Sequence, residues 1–108
     1  MANIYKNEMF DLANTGSNLI YTTPSDSRAI IKTIQTTNEG ANTLVTVTCN
    51  NGTSDFKTSI QDVTSNTHSN LIDGPLILKE SETLSITANV ANTVTGVVSL
   101  LEINRNEQ

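Results

Sequence analysis

Aromatic residues are almost missing from this chain: it has no tryptophan, and only Tyr5, Phe10, Tyr21 and Phe56 represent the class. A core must therefore be built from Ile, Leu and Val, each worth about 1.5–3 kcal/mol when fully buried. Charge is scarce too, at 16% of residues, against about a quarter in ordinary soluble domains. Sparse charge argues against disorder, which high net charge sustains. The single cysteine, Cys49, excludes an internal disulfide, and in a strand pattern it reads as a small buried hydrophobe. No apolar run reaches the roughly 18 residues of a membrane-spanning helix. The opening MANIYKNEMF lacks a signal peptide's basic region and apolar block, which fits a chain made in a cytoplasm. The six Lys and Arg residues stand singly and the net charge is −5. With no basic stripe to neutralise phosphates, direct nucleic-acid binding is not expected.

What the chain has instead is 17 Thr, 14 Asn and 10 Ser among 108 residues, more than a third of the total. Thr suits a pleated surface, and Asn and Ser suit turns. Short strand-like runs separated by turn signals recur along the chain, and no segment keeps a helical period. Residues 3–12 read as an N-terminal strand or arm in which Ile4, Phe10 and Leu12 share a parity. Residues 19–23 form a short strand ended by the Pro24 turn, and 28–37 form another. In 43–49, Val45, Val47 and Cys49 face one way. Asn51-Gly52 marks a hairpin, since both residues tolerate the positive φ of a type I′ turn. Leu76-Ile77-Leu78 reads as a short buried run. Leu84, Ile86, Ala88 and Val90 alternate with polar residues, and 94–103 is the longest apolar segment. About eight strands in one domain, residues 1–108, predict an all-β fold. Two antiparallel sheets packed as a β-sandwich, jelly-roll or immunoglobulin-like, bury them most simply, with a small barrel as the alternative.

Catalytic constellations are absent from the pattern. His68 stands alone in a polar stretch with no plausible set of nucleophile and orienting partner around it. One His and one Cys do not make a zinc site. Glu80 and Glu82 fit a solvated turn better than a calcium loop, which needs six to eight oxygens. The expectation is a protein without enzymatic activity, metal or cofactor. A carbohydrate-binding module suits the fold, with Tyr5 and Tyr21 as its stacking candidates.

Two strands raise a further question. Residues 28–37 place Ile31 on one face and Ile30 and Ile34 on the other, and residues 94–103 also carry apolar side chains on both parities. The second face is covered either by loops and the N-terminal arm or by another subunit, as in interfaces that resemble a core cut in half. The segments IYKNEMFDL, LIYTTPSDSRAIIKTIQTTNEG and LIDGPLILKESETLSITANVANTVTGVVSLLEI resemble a group of small structural proteins of tailed bacteriophages, notably marine and cyanobacterial ones. That resemblance covers most of the chain outside residues 53–69. It implies a virion protein on the capsid exterior, most simply a decoration (cement) protein bridging capsomers. The partner would then be the major capsid protein, and the chain itself a homo-oligomer, dimer or trimer. A neck, tail or baseplate accessory protein is the alternative. The expected subunit interface comprises Ile4, Tyr5, Met9, Phe10, Ile30 and Ile34.

Overall fold

A computed structural model describes residues 2–104. Nine strands lie among them: β1 (Ala2–Asp11), β2 (Asn18–Thr22), β3 (Ser27–Asn38), β4 (Thr43–Asn50), β5 (Asp55–Val63), β6 (Thr67–Asn70), β7 (Leu76–Leu78), β8 (Thr83–Ala88) and β9 (Val94–Asn104). One sheet has the order β1-β9-β3-β6, with β7 also pairing β3, and the other has the order β2-β8-β4-β5. All pairings are antiparallel.

β6 and β7 are two halves of one interrupted strand. β6 pairs with Gln35–Asn38 and β7 with Ala29–Ile31, so both lie along the same side of β3. Between them the chain leaves the ladder, turning Leu71 and Ile72 into the core. Counted as one, they give eight strands in two four-stranded sheets. The chain alternates between the sheets except at the β4–β5 hairpin. That order is a jelly roll; it is not the immunoglobulin arrangement, in which four strands face three. The two inner faces supply the core, led by Leu12, Ile31, Ile34, Val45, Val47, Leu84, Ile86, Val98 and Leu100.

In β4 and β8 the expected alternation holds: Val45 and Val47 point inward, as do Leu84, Ile86 and Ala88. β3 departs from it. Its register against β9 slips between Ile31 and Thr33, leaving Lys32 as an extra residue. A bulge of this kind reverses the parity of everything beyond it. Ser27, Ala29 and Ile31 face the core before the bulge, and Ile34, Thr36 and Asn38 face it afterwards. Ile34 therefore belongs to the interior.

The hairpin at Asn51-Gly52 forms, but with a wider turn than the two-residue type expected. β4 ends at Asn50 and β5 begins at Asp55. Gly52 takes φ +101°, and Asn side chains supply acceptors for the loop amides. Asn50 Oδ1 accepts from Gly52 N at 2.6 Å, and Asn51 Oδ1 accepts from Thr53 N at 3.0 Å and Ser54 N at 2.9 Å.

Candidate interaction surfaces

The outer face of the five-stranded sheet is built by register. Tyr5 on β1 lies opposite Leu101 on β9. Leu101 lies opposite Ile30 on β3, and Ile30 opposite Ile77 on β7. One apolar row thus crosses four strands. Its ends are open, with Tyr5 75% and Ile77 63% exposed, while Leu101 is only 9% exposed. A second, shorter row joins Met9, 84% exposed, to Val97.

Part of this face is covered by the chain itself. The bulge turns Lys32 outward, and its Nζ sits 5.7 Å from the centroid of the Tyr5 ring. To reach that ring from β3, the Lys32 side chain spans the intervening β9. Its methylenes shelter apolar surface while the ammonium meets the ring face, a contact worth about 0.5–1 kcal/mol when exposed. The outer face of the other sheet is more mixed: half-buried Thr46, Thr48, Ser85 and Thr87 share it with the exposed Leu19, Leu44 and Ile60.

The six expected interface residues separate into three groups. Tyr5 and Met9 are exposed on the outer face, and Ile30 is half-buried in the row between Leu101 and Ile77. Ile4 points toward the opposite sheet, at the open end of the sandwich, and is 47% exposed. Phe10 and Ile34 are buried in the chain's own core, so neither offers surface to a subunit. Phe10 is placed there by Gly96, its partner on β9. A Cβ at Gly96 would stand 2.5 Å from Phe10 Cζ and 2.2 Å from the Gln35 carbonyl oxygen. Sequence reasoning missed the exposed Leu19, Leu44, Phe56 and Ile60 on the other sheet, and Ile77 on this one. For Ile77, alternation inside Leu76-Ile77-Leu78 was the available signal, hidden because the run is only three residues long.

Where the two sheets meet at the open end, a carboxylate joins three strands. Glu102 on β9 points inward and is buried. Its Oε2 accepts the Tyr21 hydroxyl of β2 at 2.6 Å and the Lys6 ammonium of β1 at 3.3 Å. Burial, and then the bond to Glu102, push the Tyr21 hydroxyl well above the ordinary tyrosine value. This ties Tyr21 into the interior and removes it as a stacking platform for a sugar.

The other chemistry-bearing residues are used structurally. Glu82 Oε1 accepts from the backbone N of Lys79 at 2.7 Å, and Glu80 lies 3.6 Å from Arg28 Nε. His68 is exposed on β6 opposite Thr37. Burial raises the Cys49 thiol, making it a poor nucleophile. An open groove of about 440 Å³ runs between β5 and the β6–β7 edge, walled by Thr58, Gln61, Leu71, Ile72 and Asp73 among others.

No protein-family model matches the chain. No curated protein matches its sequence. Solved structures do match its shape. It is similar to a chain of the acid-stable capsid of the Helicobacter pylori bacteriophage KHP30, with 16% identity over 98% of this chain and 90% of that one, at a TM-score of 0.64. It is similar to the Bacillus endospore appendages that form disulfide-linked pili, with 12% identity over 94% and 88% and a TM-score of 0.60. It is also similar to a pentameric capsid protein from metagenomic phage sequences, with 17% identity over 91% and 60% and a TM-score of 0.51. At these identities the likeness establishes the fold: a jelly roll of the kind found in phage capsid proteins.

Proposed function

We propose that this protein is a non-enzymatic structural component of a phage virion, a decoration protein that sits on the capsid exterior and bridges neighbouring capsomers. The observation that carries this reading is the apolar row Tyr5–Leu101–Ile30–Ile77, exposed at its two ends, on a jelly roll of capsid type. Four strands at about 4.8 Å spacing and ten residues at about 3.3 Å give that sheet face about 600 Å². A standard specific interface takes about 800 Å² per partner. The face therefore supplies most of one contact, and binding at many copies across capsomer boundaries multiplies a modest affinity. Arg28 and Lys32 are its cations, and Asp11 stands at one end, so the fitting capsid surface is apolar with carboxylates set opposite Lys32.

The pilus-like neighbour supports another assembly less well. An end-to-end disulfide chain needs at least two cysteines per subunit, and this chain has Cys49 alone, half-buried and with a raised thiol. A neck, tail or baseplate position remains the second reading, and copy number separates it from decoration. Quantitative mass spectrometry of purified virions should return copies on the scale of the capsomers for a decoration protein. A ring-sized number would favour the second reading, and absence from the particle would end both. The substitution Ile77→Asp should leave the isolated protein folded and remove it from the particle.

A further inference from the structure

β1 is an edge strand of ten residues. β9 pairs with one of its sides along its whole length, and the other side has no strand partner among the described residues. Such an edge presents unpaired N–H and C=O groups that template another strand. Lys6 and Glu8 lie on its inward side, opposite the buried Leu100 and Val98. An arriving strand with apolar residues at those places would enclose Glu8 without an ion-pair partner and leave Lys6 with Glu102 alone. The edge thus refuses most strands and accepts one with opposite charges in matching positions.

The sequence of β1 is such a strand when turned around. Read outward from Asn7, it has Lys6 on one side and Glu8 on the other, then Tyr5 and Met9, then Ile4 and Phe10. We propose that two copies of this chain pair antiparallel through their β1 edges, with the two-fold axis at Asn7. In that register Lys6 meets Glu8 of the partner subunit on the inward face. Tyr5 meets Met9 of the partner subunit on the outward face, a favourable sulfur–aromatic pair. Ile4 comes opposite Phe10 of the partner subunit in register only, because that ring stays in its own core, and Asn7 meets its own counterpart. Each residue stays on its own face, as a sheet requires.

Neighbouring registers fail. Centring on Lys6 sets that ammonium against itself and Ile4 against Glu8. Centring on Glu8 sets two carboxylates together and Lys6 against Phe10. The other long edge, β5, carries a bulge at Thr58 and no mirrored order of charges and apolar residues. Lys6 can hold both acceptors, since an ammonium has three donors and Glu102 takes one. Glu8 makes no hydrogen bond or ion pair among the described residues. The pairing adds about eight to ten main-chain hydrogen bonds over residues 3–11. It also joins the outer faces of the two copies into one broad apolar surface. The contact is isologous, so it closes at two copies.

This inference goes beyond the virion reading and is tested on purified protein, so either can fail alone. In a Cys49→Ser background, Asn7→Cys should form a disulfide-linked dimer under mild oxidation, because the axis brings that position onto itself. Asn3→Cys in the same background should stay monomeric on non-reducing gels. Sedimentation equilibrium should show a dimer that Glu8→Lys weakens about tenfold or more. Mixing Glu8→Lys with Lys6→Glu chains should restore association, now as heterodimers, with circular dichroism confirming that each chain is folded. A wild-type protein that stays monomeric at every concentration reached would overturn the proposal. So would a dimer indifferent to Glu8→Lys, or equal cross-linking from positions 3 and 7.

Discussion

Ile34 carries the sharpest test of how the β3 bulge allots side chains. Straight alternation puts Ile34 outside with Ile30; the bulge at Lys32 puts it in the core, with no exposed surface at all. Ile34→Ala should then cost about 2–5 kcal/mol, the usual range for a fully buried aliphatic residue cut to alanine. At about 4–8 °C per kcal/mol for a domain near this size, the melting temperature should fall by at least about 8 °C. Ile34→Asp should do worse. It loses the same burial and encloses a carboxylate without a partner, which costs about 3–5 kcal/mol more. Domains of this kind have about 5–15 kcal/mol in total, so the variant should be largely unfolded. Ile77→Ala, at an exposed position on the outer face, should stay within about 0.5 kcal/mol of the parent. Urea titrations followed by far-ultraviolet circular dichroism compare the three. An Ile34→Asp protein as stable as the parent would refute the bulge argument and return Ile34 to the surface.

Three other outcomes follow from particular contacts. Gly96→Ala should destabilise the fold by about 1–3 kcal/mol through overpacking, because the added methyl meets the Gln35 carbonyl as well as the Phe10 ring; thermal melts check it, and a neutral result would misplace Phe10. Tyr21 is raised above its ordinary value near 10.0 by burial and by Glu102, so above about pH 10 the unfolded chain loses a proton that the folded chain keeps. Stability from this group is complete below that pH and should fall as pH rises, by up to about 1.4 kcal/mol per unit. Tyr21→Phe should flatten that alkaline slope in denaturant titrations while lowering stability at neutral pH. Asn38 is fully buried and donates to the carbonyls of Ala41 at 2.8 Å and Val63 at 2.9 Å; Asn38→Ala leaves both acceptors short and should cost about 1–3 kcal/mol each at most, read from the urea midpoint.

The sandwich itself was legible because β4 and β8 alternate without interruption through the stretches that face the core. Tyr5 and Met9 lie on the parity opposite Phe10 and Leu12, a division within β1 that grouping Ile4, Tyr5, Met9 and Phe10 as one interface passes over. What stayed hidden came from non-local geometry. Lys32 looks like an ordinary polar position, and only its register against β9 reveals an extra residue. Phe10 is buried because Gly96, far away in sequence, leaves room beneath its ring. The jelly-roll order rests on β1 and β9 pairing from opposite ends of the chain, which no local pattern encodes. Ile77 is exposed because β7 is so short that one residue points outward between two that do not. The mirrored charges about Asn7 were present in the sequence throughout, and acquired meaning once β1 was known to have a free side.

A cryo-electron-microscopy map of virions from the phage proposed to encode this chain tests the central claim most directly. Jelly-roll density should lie across capsomer boundaries, with Tyr5, Ile30 and Ile77 pressed against a neighbouring protein and the outer face of the other sheet turned to solvent. A particle without this chain, or one that holds it with the Tyr5 face open to water, would contradict it.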